Sequence, residues 1–300
     1  MRRGAFLLAA ALTFVVAADR QDPTAYPITI KEAGKGDVRL SDVSQNTVSS
    51  TKISNLTSGK LLHEKATSSA QQCVYRETVL DRQAGQRQPT RLRRDYQKAV
   101  VWTDGKPSAL SCQGKGVLIE KKEGFYRFSV EGRTLPDDEA TRLLDREFNR
   151  EDDLDLQRLI LPSRAVHLDE PWTIDMAPVA RAWQFNTTMA IDVPRSTGTG
   201  RLTKFYRKDN RLCGVMAFRL EMPIKSLGVE KPVRPDAGAR VLMDVILDCC
   251  IDGTSSSGTL RASFWVDGTA TVPAGDGQQT RLTFSTRGSL QKVHTEQPRP

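Results

Sequence analysis

The chain has 300 residues, a formal charge of +8 and five cysteines. That length suits one large β-rich domain or two small ones once a leader is removed. The odd, sparse cysteines exclude a disulfide scaffold. The basic residues are scattered among acidic ones, as where Lys121 and Lys122 lie between Glu120 and Glu123, so no aromatic-interleaved basic stripe for nucleic acid exists.

Residues 1–18 read as an export signal. Arg2 and Arg3 form a basic start, Gly4 to Ala17 is an apolar run too short to span a bilayer comfortably, and Val16-Ala17-Ala18 fits the small-x-small cleavage rule, with cleavage after Ala18. Removal leaves no transmembrane span and a formal charge of +6. Residues 19–58 are polar and rich in Ser, Thr and Asn. They read as an extended, partly disordered lead-in that holds at most short strands.

A single β-rich domain is expected over 59–290, with strands across 60–132, helices within 136–161 and strands across 164–288. Cys73 to Leu80 and Arg91 to Thr103 are strand text, the second closed by a turn at Asp104-Gly105. GVLIEKK and FYRFSVEG form a predicted hairpin around Glu123-Gly124. Tyr126, Phe128 and Val130 alternate with Arg127, Ser129 and Glu131, giving one dry face and one wet. Pro136 and the acidic Asp137, Asp138 and Glu139 mark a helix start, and Ala140, Leu143, Leu144 and Phe148 share one helical face. A second short helix begins near Asp152 or Asp153 and must end before Pro162. A third is expected around Met176–Trp183. Strand text then resumes, with turns at Asp209-Asn210 and GTSSSG (253–258). Residues 291–300 read as a frayed tail. About ten strands without βαβ alternation give an α+β, mainly β class. The expected architecture is an antiparallel sheet curved around a core or cavity, with one or two central helices on its face or mouth.

The phrase LPSRAVHLDEPW (161–172) resembles one in an uncharacterised family of secreted bacterial proteins, a domain of unknown function. The family phrase reads LP-x-x-x-V-x-x-G-D-x-W. Leu161, Pro162, Val166 and Trp172 match it; Asp169-Glu170 stands where the family has Gly-Asp. The likeness extends loosely over 60–290. It implies a curved, unclosed antiparallel sheet with helices on its concave side, similar to periplasmic lipoprotein carriers, and it implies no activity.

Few residues point to chemistry. His63, His167 and His294 are far apart and carry no zinc or Ser-His-Asp spacing. No nucleophile elbow, dinucleotide fingerprint or P-loop occurs, and no cofactor or metal site is expected. Asp244, Asp248 and Asp252 share a strand face and could supply paired carboxylates for a hydrolase, though a wet face explains them more simply. Asp152-Asp153-Asp155 is a candidate calcium cluster without EF-hand order. Asn55 and Asn186 begin glycosylation sequons, which matter only in a eukaryotic secretory pathway. Cys73 with Cys112, and Cys213 with Cys249 or Cys250, are candidate disulfides; buried free thiols are the equal alternative.

The expected function is that of an exported, non-enzymatic envelope or periplasmic protein. It would bind an apolar or amphipathic ligand, a lipid among them, or an envelope partner chain in the sheet's concavity. Leu143, Leu144, Phe148 and Trp172 are the candidate lining residues, although Trp172 reads first as a packing anchor. A structural or adhesive component without a pocket is the alternative, and a hydrolase with dispersed carboxylates the third reading.

Overall fold

A computed structural model describes residues 24–83, 88–149, 156–184, 189–228, 232–273 and 279–298. The expected export signal, the Asp152-Asp153-Asp155 cluster and Asn186 lie outside them.

The class is as expected: an antiparallel, curved and unclosed sheet with few helices. The first strands lead outward from the middle. They are β1 (Val38–Asn55), β2 (Leu61–Asp81), β3 (Arg91–Thr103), β4 (Lys106–Ala109), β5 (Gly116–Lys122), β6 (Phe125–Val130) and β7 (Arg133–Thr134). The chain then passes through helices α1 (Glu139–Phe148) and α2 (Leu156–Leu159) and emerges at the opposite edge as β8 (Pro171–Thr173). After α3 (Met176–Gln184) and β9 (Met189–Ile191) it works back inward. The returning strands are β10 (Thr197–Lys208), β11 (Arg211–Leu227), β12 (Arg240–Cys250), β13 (Gly258–Pro273) and β14 (Gln279–Gln297). The sheet order is β7-β6-β5-β3-β2-β1-β14-β13-β12-β11-β10-β8, with β4 beside β3 and β9 beside β11.

Local chemistry explains most of these elements. Among the described residues, four hairpins turn on two-residue loops whose first residue has positive φ: Asp104, Glu123, Glu131 and Asp209. Each is followed by Gly105, Gly124, Gly132 or Asn210, also at positive φ, the pattern that matches strand twist. Asp138 caps α1, its carboxylate accepting from Ala140 N at 2.9 Å and Thr141 N at 3.2 Å.

Two expectations need correction. Residues 38–55 are not a lead-in but an 18-residue strand at the centre of the sheet. Residues 291–297 are not a frayed tail but the end of β14. The same pairing explains both: β1 and β14 run antiparallel from Val38↔Gln297 to Asn55↔Thr280. Ser- and Thr-rich text looks disordered when read alone, but the backbone ladder stabilises it once a partner over two hundred residues away arrives. Upstream, Tyr26 pairs with Val166 and stacks on Phe205 at 4.5 Å, so residues 24–33 are pinned rather than mobile.

The core falls into two apolar clusters, joined by the long central strands. One holds Leu92, Ile119, Phe128, Leu144 and Phe148; the other holds Trp172, Leu202, Met216, Leu220 and Val241. The helices reach the inner face at both ends. Phe148 of α1 lies 6.3 Å from Phe128, and Trp183 of α3 meets Phe264 edge-on at 5.9 Å.

The phrase at 161–172 acts as the re-entry path. Val166 is fully buried against Tyr26, Leu168 bridges to Leu202, and Trp172 docks edge-on to Phe218 at 5.8 Å. Its indole donates to Ile160 O at 3.0 Å. Asp169, where the resembling family has glycine, sits at φ 59°. That left-handed conformation favours glycine, and Asp is among the few other residues that adopt it readily.

Candidate functional site

Strand alternation sends odd-numbered residues of β1 and β2 and even-numbered residues of β13 and β14 to the inner face. Between the two apolar clusters this places an alternating charge ladder across four strands: Arg94 opposite Glu77, Glu77 opposite Arg39, Arg39 opposite Glu296. Arg94 is its anchor. Its Nε donates to Glu77 Oε2 at 2.8 Å, and its two terminal nitrogens grip Glu147 of α1, each at 2.7 Å. The guanidinium is stacked by Tyr75, 4.4 Å from the ring centre, and Phe148, at 4.8 Å. Arg39 donates to the other Glu77 oxygen at 2.8 Å. At the far end Glu296 pairs with Lys31 and accepts from Ser255 Oγ at 2.7 Å. Asp37 lies 3.9 Å from Lys31 and caps Gly34 N at 2.8 Å.

Burial opposes the charges of Glu77, Glu147, Arg94 and Arg39, and the partners decide the outcome. Burial by itself would raise Glu77, but the guanidiniums of Arg39 and Arg94 outweigh it and hold the carboxyl well below its usual range. Burial likewise acts against Glu147, and Arg94 holds it down at about 2. Arg94 rises above its ordinary value because Glu147, Tyr75 and Glu77 together overcome its burial.

The next inner row holds Tyr96, Tyr75, Ser41 and His294. Ser41 Oγ and His294 Nδ1 are 2.8 Å apart. The pair has the spacing of a nucleophile and its base, yet Ser41 has no exposed surface. Burial first, then the charges of Lys292 and Arg39, push His294 down to about 2, so it resists taking a proton. The pair is a neutral structural hydrogen bond.

Lys292 stands in the row after that, and it is out of character there. In register with it across the sheet are Ala99, Cys73, Val43, Leu260 and Leu247, all apolar. Among the described residues its ammonium has no hydrogen-bond or ion-pair partner. Burial disfavours its charge and lowers its pKa, with Glu147 and Glu77 opposing and Arg39 and Arg94 adding to the effect. Lys292, Arg39 and Glu147 are walled by protein, yet Lys292 is only half-buried, and the side chains of Arg39 and Glu147 are 26% and 40% exposed. They therefore line a recess and do not sit inside a filled core. One row further, Val101, Gln71 and Leu290 are half-buried and Gln45 is exposed, so the recess opens along the strands.

The sequence-derived lining residues do not come together. Leu144 and Phe148 fill the first cluster, with Leu143 half-buried beside them, and Trp172 belongs to the second. Trp172 is packed so tightly that a Cβ on Gly200 would fall 2.3 Å from its ring. The cysteines are free and buried. Cys213 lies across from Cys250, sulfur to sulfur 3.3 Å; Cys249 faces the core on the other side of the strand, so Cys250 rather than Cys249 is the neighbour of Cys213. Cys73 and Cys112 share the first cluster without a bond.

The carboxylate ladder on the outer face also resolves into separate roles. Asp244 lies 3.8 Å from Arg219, Asp248 accepts from Tyr206 Oη at 2.6 Å, and Asp252 caps Thr254 N at 3.0 Å. Four residues along a strand separate the first two by about 13 Å, too far for paired carboxylate chemistry. His63, His167 and His294 sit on separate elements. No group of three or more His, Cys, Asp or Glu suited to a metal occurs among the described residues. Two open grooves of about 500 Å³ each mark the surface, one beside Trp102 and Gln72 and one on the outer face beside Trp265 and Arg287. Neither reaches the charge ladder, and we place the site beside the ladder, at Lys292, whose ammonium has no partner among the described residues.

The alternating ladder is not legible in the sequence. Arg39, Glu77 and Arg94 look like ordinary wet-face charges until the register stacks them. The one local signal is Lys292 within the half-apolar run SLQKVH.

Among the described residues no helix is long and apolar enough to cross a membrane. No protein-family model matches the chain, and no curated protein matches it. Among solved structures it is similar to the crystal structure of Pseudomonas aeruginosa OpdQ, at 7% identity over 86% of this chain and 98% of that one. The TM-score of that likeness is 0.19, which carries no argument about fold or function.

Proposed function

We propose that this is an exported, non-enzymatic envelope or periplasmic protein that holds an amphipathic ligand against the inner face of its curved sheet. The observation that carries the reading is the recess between the two filled clusters, with Lys292, unpartnered among the described residues, at its base and Val43, Leu290 and Val101 along a floor that also holds Gln45 and Gln71. A fully apolar ligand fits less well, because the space between the clusters is charged and the apolar ends are already packed. Hydrolysis fits poorly too: Glu77 and Glu147 are both held ionised by Arg94, so neither can serve as a general acid near neutral pH. The resemblance to a secreted bacterial family supports export and says nothing of chemistry.

Native mass spectrometry of protein purified from its own host tests the reading. A bound amphiphile of defined mass is expected, and a spectrum of bare protein under gentle desolvation refutes it.

A second reading, an adhesive or structural component, rests on β2. Its first seven residues, Leu61 to Thr67, run beside β1 but not β3, which leaves one strand edge open. Leu61 and Leu62 there are 51% and 53% exposed. Glu64 and Lys65 on the same stretch discourage edge-to-edge association. Concentration-dependent self-association that Leu62→Lys abolishes would favour this reading over the first.

A further inference from the structure

We infer that the recess selects an amphiphile with an anionic head group, a carboxylate or a phosphate monoester, which takes the place of the missing counter-ion beside Lys292. The inference rests on the ligand-holding reading above and adds the chemical class of the ligand.

The argument begins with who is already paired. Each carboxylate near Lys292 is committed elsewhere: Glu77 to Arg39 and Arg94, Glu147 to Arg94, Glu296 to Lys31 and Ser255. Asp37 is at the far side, near Lys31 and bonded to Gly34 N. The uncharged His294 and Tyr75 complete the surroundings. Among the described residues Lys292 is therefore a cation in contact with no anion, walled by protein on an otherwise apolar row. Such a charge is costly to bury alone and gains most from one incoming negative charge. Arg39, a quarter exposed and bonded to Glu77, stands opposite Glu296 two inner rows away, beyond Ser41 and His294.

The tail has a path. Half-buried Val43 lies beside Lys292 in its own row; the next row toward the open end holds half-buried Leu290, Gln71 and Val101 with exposed Gln45, and the one after it Gly288, Thr47 and Ser69. Toward the other end Ser41, Tyr75, Glu77 and Arg94 are all buried, and of the ladder only Arg39 and Glu296 keep partial exposure. A head group must therefore enter from the Thr47 side and stop at Lys292, with its tail lying back over Leu290. A neutral head group would leave the lysine unpaired and gain only the tail contacts.

The test uses isothermal titration of the full chain with dodecanoate, dodecyl phosphate, dodecyl maltoside and inorganic phosphate. Tighter binding of the two anionic amphiphiles than of the maltoside, by tenfold or more, is expected. Lys292→Met should remove that preference, and Lys292→Arg should retain it. Lys292→Met should melt no lower than the parent, since it relieves a buried charge. If it fails to fold, Val43→Glu, which puts a carboxylate directly across from Lys292, serves instead and should also remove the preference. Equal binding of anionic and neutral amphiphiles, insensitive to both variants, overturns the head-group inference and leaves the ligand-holding function standing. No binding of any amphiphile overturns both. Lysine-dependent binding of inorganic phosphate as tight as that of dodecyl phosphate supports the anion site and removes the tail.

Discussion

Arg94 is the residue on which the inner ladder turns, and its replacement gives the sharpest check of the electrostatics. Arg94→Met keeps the aliphatic stem between Tyr75 and Phe148 but deletes the guanidinium. Glu77, 1% exposed, then keeps only Arg39 as partner, and α1 loses its two bonds to the sheet through Glu147. Breaking a buried ion pair by removing one partner costs about 3–5 kcal/mol. Arg39 still compensates Glu77, and Glu147 is 40% exposed, so water screens it. The loss expected is therefore at the low end, about 3 kcal/mol. Urea unfolding at pH 7.5, followed by tryptophan fluorescence, measures it. Adding Glu77→Gln to the variant removes the stranded carboxylate and should recover about half of the loss. The pH dependence has a definite sign. Glu77 and Glu147 are held below their unfolded values, so their contribution is present above the unfolded carboxylate pKa of about 4.3 and is lost as pH falls below it. Parent and variant curves should converge in acid. A loss under about 1 kcal/mol at pH 7.5, or no recovery with Glu77→Gln, would refute Arg94 as the charge that holds the ladder together.

His294 should make the fold acid-sensitive at milder pH. Its pKa falls to about 2 in the folded chain against an ordinary 6.5, so the unfolded state takes up a proton first and stability declines as pH drops below 6.5. The decline should reach about 2 kcal/mol at pH 5 and be absent in His294→Gln, as read by chemical denaturation at each pH. Gly200→Ala would push a methyl into the Trp172 ring; a loss of about 1–3 kcal/mol with a changed near-ultraviolet tryptophan signal is expected, and an unchanged signal would show that Trp172 is not the anchor. Burial pushes the thiols of Cys112 and Cys249 up to about 12, so in reduced, folded protein they should resist an aromatic disulfide reagent at pH 8 and react only on unfolding. Rapid native labelling of either would contradict their burial.

Local features are legible before any tertiary information. The two-residue turns at Asp104-Gly105, Glu123-Gly124 and Asp209-Asn210 announce themselves because few residue pairs tolerate positive φ. The cap at Asp138 and the apolar face Ala140, Leu144 and Phe148 fix α1 by period and dipole, and the period of two along Tyr126–Val130 assigns the dry side of β6. Trp172 reads as an anchor because a large aromatic after a proline-bounded turn has little other use. The antiparallel class follows from the missing βαβ alternation.

What residue order alone leaves open is which strand lies beside which. The pairing of β1 with β14 joins residues more than two hundred positions apart, and no local signal in SDVSQNTVSS or STRGSLQKVH names the partner. Because the side-chain period of a strand is two, the inner row of each residue depends on that long-range register, and a slip of one would turn Lys292 and Arg39 outward. The ladder Arg94–Glu77–Arg39, the Ser41–His294 bond and the isolation of Lys292 exist only once four strands have come into register. Composition and periodicity determine the elements and their dry faces; tertiary pairing decides which charges meet on the inner face and leaves one of them without a partner.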